Sequence, residues 1–175
     1  SAGYVQYEIS NWAKVNSEFR IQNSEFMCCH NLQYWRGLPY LGLGAGAHGY
    51  ANGYRYSNVL RIKTYIERLL HPSSFIFHPF PLTPATVNQH RQTRQDDMSE
   101  FMMTGLRLML EGISSTEFES RFGARLNEVY GKDVEELIRL GLLEWHQFPS
   151  PFGRGVRGEG LRLTRRGRLL GNQVF

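Results

Sequence analysis

Four prolines, Pro72, Pro79, Pro81 and Pro84, fall within residues 71–86. Proline lacks a backbone N–H and fixes φ, so neither a helix interior nor a central strand runs through such a stretch. The chain must therefore fold on either side of a break. We read residues 71–86 as a linker or boundary and divide the chain near residue 80, into residues 1–80 and 81–175. The 175 residues suffice for one large domain or two small ones, and the 41% hydrophobic share supplies a core.

The two parts differ in style. In the first, "GYVQYEIS" is rich in β-favouring residues and predicts a strand. A polar stretch follows in which "NSEF" occurs twice, at Asn16–Phe19 and Asn23–Phe26, and we expect a long loop there. The glycine-dense "YLGLGA" is expected as a short buried strand, and "YANGYRYSN" as turn-like. Ile62, Tyr65, Ile66, Leu69 and Leu70 recur at helical spacing and predict a helix.

The second part is compact and helical. Met98, Phe101, Met102, Gly105, Leu106 and Met109 would line one helix face, ended by Gly112. Ser114 with Glu117 is a capping-box pattern for a short helix closed by Gly123. Residues 125–140 are expected as a helix broken at Gly131 and ended by Gly141. "LLEWHQF" and "GLRLT" predict a hairpin around a Gly/Pro/Arg-rich tip, and Thr164 would cap a last helix. Helix, helix, helix, hairpin, helix is a winged-helix-like order.

Net charge is +4, compatible with an anionic partner. A winged helix with a basic wing could bind DNA, and residues 151–175 carry six arginines against one glutamate. The helix that would enter the major groove, residues 124–140, carries three cations against four carboxylates. That balance removes the counterion-release term on which such binding depends, and argues against nucleic acid. No apolar run reaches membrane-spanning length. The two cysteines, Cys28 and Cys29, are neighbours, form no disulfide framework, and fit a reducing cytoplasm. The opening Ser-Ala-Gly in place of Met points to a piece of a longer protein.

Chemistry is densest in "CHNLQYW", Cys29 to Trp35. His30 could ligate a metal or haem iron, or cap a turn. Tyr34 and Trp35 could stack on a flat ligand or fill the core, and nearby Arg36 could pair with a carboxylate or stay solvated. Adjacent cysteines rarely converge on one tetrahedral ion, which discounts zinc. Gly44-Ala45-Gly46-Ala47-His48-Gly49 matches G-x-G-x-x-G, but no helix pattern opens on its last glycine, as a dinucleotide site needs. Close approach of a flat ligand and tight backbone packing both stay open for these glycines. No nucleophile–base pair can be named, so catalytic residues are unknown.

Three stretches in order, Tyr7 to Asn11, His30 to Trp35 and Tyr40 to His48, together with "GLRLMLEGIS", "FESRFG", "LIRLGLLE" and "LRLTRRGRLLGNQVF", resemble one family. It is the radical SAM family grouped with oxygen-independent coproporphyrinogen III oxidase, and the resemblance is to its C-terminal part. One branch oxidatively decarboxylates coproporphyrinogen III. The other, the HemW-type haem chaperones, carries an H-N-x-x-Y-W motif, matched here by His30, Asn31, Tyr34 and Trp35. The resemblance implies an α/β plus α+β fold. Residues 1–80 would be the terminal part of an incomplete (β/α) barrel, with Glu8 and Asn11 as candidate cavity residues. Residues 81–175 would be a mostly helical, winged-helix-like C-terminal domain.

The resemblance further implies a haem or porphyrinogen ligand, with His30 on the haem iron, and S-adenosylmethionine beside Asn31–Gln33 and Ala45–His48. The candidate binding residues are thus His30, Asn31, Gln33, Tyr34, Trp35, Gly44, Gly46 and His48. A 4Fe-4S cluster is implied only for the missing N-terminal part of the parent, since the spacing of Cys28 and Cys29 cannot hold it. Haem transfer to an acceptor protein is the functional expectation. Coproporphyrinogen oxidation by the parent and a nucleic-acid-binding module are the alternatives, and this piece alone would be inactive as an enzyme. An exposed barrel edge would favour self-association.

Overall fold

The structure is a computed structural model. It describes residues 3–14, 26–71, 77–148 and 158–171. The doubled "NSEF" and the Gly/Pro/Arg-rich tip with Arg154 and Arg157 lie outside the described residues, except Phe26. The elements are β1 (Tyr4–Glu8), β2 (Asn11–Lys14), α1 (Cys29–Trp35), β3 (His48–Ala51), β4 (Tyr54–Asn58), α2 (Ile62–Leu70), β5 (Thr86–Arg91), α3 (Arg94–Gly105), β6 (Ile113–Ser114), α4 (Ser115–Phe122), α5 (Leu126–Arg139), β7 (Leu143–Phe148), β8 (Gly158–Leu163) and α6 (Arg165–Leu169). This is a mixed α/β chain with three small sheets, and every strand pairing among the described residues is antiparallel.

Two compact units emerge from the packing: residues 1–37 with 98–175, and residues 38–97. They follow contacts in space, and so differ in kind from the division along the chain near residue 80.

In the first unit, β1 and β2 form a hairpin, with Val5 opposite Ala13. The Met109 N–H donates to the Tyr7 carbonyl at 3.0 Å, and Glu8 bridges to Leu108. The main core joins Met98, Phe101, Leu106, Met109, Ile113, Phe118, Leu126, Val134, Leu143, Leu161 and Leu163. Phe118 is fully buried, its ring 5.9, 4.9 and 6.1 Å from those of Phe101, Phe122 and Tyr130. Strands β6, β8 and β7 lie side by side in that order.

Several caps follow the sequence. The Ser114 side chain accepts the Glu117 N–H, and Gly123 ends α4 at φ 61°. Thr164 accepts the Gly167 N–H and donates its hydroxyl to the Gly141 carbonyl at 2.6 Å. The expected break at Gly131 is absent: α5 runs unbroken. An interior glycine costs about 1 kcal/mol, which the buried Leu126 and Val134 on the same helix outweigh. The helix expected to reach Gly112 stops at Gly105 instead. A Cβ there would lie 2.9 Å from Ile113 Cγ1, and the chain turns immediately afterwards, bringing Leu108 and Met109 to β1.

In the second unit, β3, β4 and β5 form an antiparallel sheet. The stretch expected as turn-like is a hairpin. Asn52 and Gly53 take φ 50° and 74°, the paired positive values of a two-residue turn. The expected strand "YLGLGA" does not form; Tyr40 alone bridges to Tyr50. Strand β5 lies within and beyond the expected linker. Helix α2 forms as expected but buries none of its residues within this unit.

Candidate functional site

The segment "CHNLQYW" is itself helix α1. Its inward side holds Leu32, buried in a cluster with Tyr7, Ala13 and Leu108, against which Met27 and Trp35 pack. The N-cap Cys28 has no side-chain cap; its N–H donates to the Tyr7 hydroxyl at 3.1 Å. The Arg107 guanidinium lies 4.2 Å from the centre of the Trp35 ring. The indole N–H of Trp35 is buried without a hydrogen-bond acceptor among the described residues.

Arg36 closes the helix with a paired contact to Glu111. Its Nε donates to Oε2 at 3.0 Å and its Nη2 to Oε1 at 2.5 Å. Hydrogen bonding to Glu111 raises the Arg36 pKa above its ordinary value. The Gly37 carbonyl accepts from Arg121 Nη2 at 3.3 Å. Arg36 is therefore engaged with a carboxylate of this chain, where the sequence left it open to a ligand's.

His30 is exposed. Its ring meets Tyr34 edge-on, with centres 4.8 Å apart and planes at 83°. Asn31, Gln33 and Tyr34 are half-buried, and Cys28 and Cys29 are exposed thiols. The arrangement leaves an accessible imidazole beside an aromatic edge, on a helix whose other side is anchored. Such a donor suits one axial bond to an iron. Among the described residues no group of three His, Cys, Asp or Glu could hold a metal ion.

Glu8 is fully buried, its carboxylate contacted by the Asn11 amide and its Oε2 without a partner among the described residues.

Gly44, Gly46 and His48 lie in the other unit. The Gly42 N–H donates to the Tyr56 hydroxyl, the Gly44 N–H to the Tyr65 hydroxyl, and the Gly46 N–H to the Val59 carbonyl. The buried Asn58 amide donates to the Gly42 and Gly44 carbonyls, each at 3.0 Å. These backbone groups are occupied internally, and a Cβ on Gly42 or Gly49 would collide with the His48 carbonyl or the Tyr56 ring. Tight packing accounts for both those glycines. Strand β3 follows the loop where a dinucleotide fingerprint requires a helix. His48 is exposed at the start of β3.

Sequence reasoning missed Tyr7, Arg107, Glu111 and Arg121 as supports of α1. No spacing signal marks them, because they lie from 21 to 84 residues from the groups they hold.

The profile described as HemN C-terminal domain matches residues 92–147. A protein named heme chaperone HemW from Bacillus subtilis (strain 168) is 34% identical over 173 residues, covering 99% of this chain and 38% of its own length. One of the same name from Lactococcus lactis is 28% identical over 173 residues, covering 99% of this chain and 37% of its own. In Escherichia coli (strain K12) a relative of that name is 32% identical over 143 residues, 82% of this chain and 32% of its own length. The solved structure of coproporphyrinogen III oxidase (HemN) from E. coli, described as a radical SAM enzyme, matches with a TM-score of 0.52 at 18% identity, over 78% of this chain and 27% of that one.

The class defined by fold and sequence is thus the C-terminal region of radical SAM, coproporphyrinogen-oxidase-like proteins. Within it, the chain belongs to the HemN/HemW-like family, and the relatives just described that align over most of its length carry the haem-chaperone name. It spans less than two fifths of those relatives.

Proposed function

We propose that this chain is the haem-capturing C-terminal part of a haem chaperone, with His30 as axial ligand to the iron of the haem cargo. The observation that carries this reading is the exposed His30 imidazole, set edge-on to Tyr34 on the outer side of an anchored helix. Neutral imidazole is a good haem ligand. The names of the relatives support the same cargo. Asn31 and Gln33, half-buried on the same helix, would direct their amides to the cargo's polar edge. Trp35 would serve from the inner side, as an anchor. Transfer then passes the cargo to an acceptor protein in the cytoplasm.

The architecture we attach to this role divides the chain into residues 1–80, the last part of a radical SAM barrel, and residues 81–175, a winged-helix-like domain. The side-by-side order β6–β8–β7, with α4 and α5 between β6 and β7 in the chain, supports the second assignment. The cluster would belong to the longer parent, as would radical chemistry. For S-adenosylmethionine the loop of Gly44 and Gly46 does not fit as a hydrogen-bonding cradle, since its N–H groups are already bonded, and we derive no step through it.

Haemin titration of the full-length protein and its His30→Ala variant tests the reading. Loss of the Soret shift and weakened binding are expected in the variant. Unchanged affinity with an unchanged Soret band would remove His30 as the ligand.

A further inference from the structure

We infer that Glu111, acting through Arg36, and Arg107, acting through Trp35, are positioning residues that set how α1 presents His30. This rests on His30 binding the haem iron. It goes beyond that reading by assigning a role to the segment 107–111, which lies outside the motif.

Helix α1 has seven residues, no side-chain cap, no acidic residue in its first turn and no basic residue in its last. An isolated helix of that length is unstable in water. Its direction and rotation must come from tertiary contacts. At its start the Cys28 N–H is held by Tyr7. At its end three successive residues are held from one later stretch of chain: Trp35 by Arg107, Arg36 by Glu111 and Gly37 by Arg121.

Helical rotation then separates function from anchorage. At about 100° per residue, Tyr34 lies about 40° around the helix from His30, while Leu32 and Trp35 lie about 160° and 140° away. The buried and clamped residues therefore sit opposite the imidazole. Fixing Trp35 and Arg36 fixes the azimuth of His30 without touching it. Arg107 and Glu111 flank Leu108 and Met109, which also hold β1 through the Leu108–Glu8 bridge and the Met109–Tyr7 hydrogen bond. One turn of chain thus references both β1 and α1.

The pair Arg36–Glu111 is about two-fifths exposed on each side, so its worth to global stability is small. Its two-point geometry instead confers orientation. That separates positioning from mere stabilisation and makes the test clean.

The experiment uses the full-length protein, with haemin titrations of Glu111→Gln, Arg107→Lys, His30→Ala, the double variant H30A/E111Q and the charge swap R36E/E111R. Circular dichroism confirms that each is folded. Support residues of this kind typically change affinity about 10- to 100-fold. We expect a loss of that size, with a broadened Soret band, in E111Q and R107K. Recovery to near wild type is expected in the charge swap, with no further loss when E111Q is added to H30A. Wild-type affinity in folded E111Q and R107K overturns the inference while leaving His30 in place. So does an E111Q effect that persists in the H30A background. Wild-type binding by H30A alone removes the haem reading, and this inference with it.

Discussion

At the scale of single residues, side chains are assigned their work by partners far away in sequence. Arg36 and Trp35 illustrate this, since both could have faced a ligand and both are engaged by residues beyond position 100. Asp96 is a local counterpart. It accepts hydrogen bonds from the Thr93 N–H at 2.9 Å and hydroxyl at 2.8 Å, while His90 Nε2 lies at 3.2 Å. The Thr93 backbone and hydroxyl bonds, then His90, lower its pKa from 3.8 to about 2. A carboxyl lowered on folding stabilises the folded state when ionised. This contribution is complete above the unfolded value and is lost as pH falls through about 4 toward 2. Asp96→Asn should lower the thermal midpoint at pH 7, and the gap to wild type should close in melts near pH 2. A gap that stays constant across this range would show that the cap does not depend on the charge. The reciprocal Thr93–Asp96 bonds were readable from spacing in principle, three residues apart at a helix start. The part played by His90 was not, because β5 had to form first.

At the scale of elements, glycines and aromatics decide where helices stop and how they pack. Gly167 in α6 is the sharpest case. A Cβ there would collide with the Leu142 carbonyl, a backbone atom with no freedom to move aside. Overpacking of this kind costs about 1–3 kcal/mol or more. Gly167→Ala should therefore lower the urea midpoint, whereas alanine at half-buried Gly131, where a Cβ meets nothing within 4 Å, should not. Phe118 tests the opposite change. Its complete burial among three rings predicts a loss of about 3–5 kcal/mol for Phe118→Ala in chemical denaturation. Elements with local signals were legible: the Ser114 and Thr164 caps, the Gly123 stop, α2, and the β7–β8 hairpin. Missed were α1, β5 and the β3–β4 hairpin, although Asn52-Gly53 carried a strong turn signal. Helix α3 was read too long, because Leu106 and Met109 keep a helical spacing while their backbone is drawn to β1.

At the scale of the whole molecule, exposed apolar side chains set the expected behaviour in solution. Leu43, Leu60, Ile62, Leu70 and Phe77 are each more than 70% exposed, all within residues 38–97. Exposed apolar surface of this extent favours association. The 175-residue chain should self-associate at micromolar concentration, and Ile62→Lys with Leu70→Glu should reduce its average mass in sedimentation. An unaltered mass distribution would place the contact elsewhere. The nucleic-acid alternative makes an opposite prediction from the charges of α5. With Glu128, Asp133, Glu135 and Glu136 against Arg125, Lys132 and Arg139 between residues 124 and 140, no complex with duplex DNA is expected in a low-salt gel shift.

The sequence alone settled what local rules govern: most of the helical faces, the caps, and the motif that led to the family. Those features depend on neighbours within a few positions, where spacing and propensity are strongest. Tertiary structure decided which side of "CHNLQYW" faces outward. It also decided that the glycine loop's N–H groups are occupied, and that Arg107, Glu111 and Arg121 hold the helix of His30. Contacts across 21 to 84 residues leave no periodic trace, because they exist only once β1 and the turn after α3 have met.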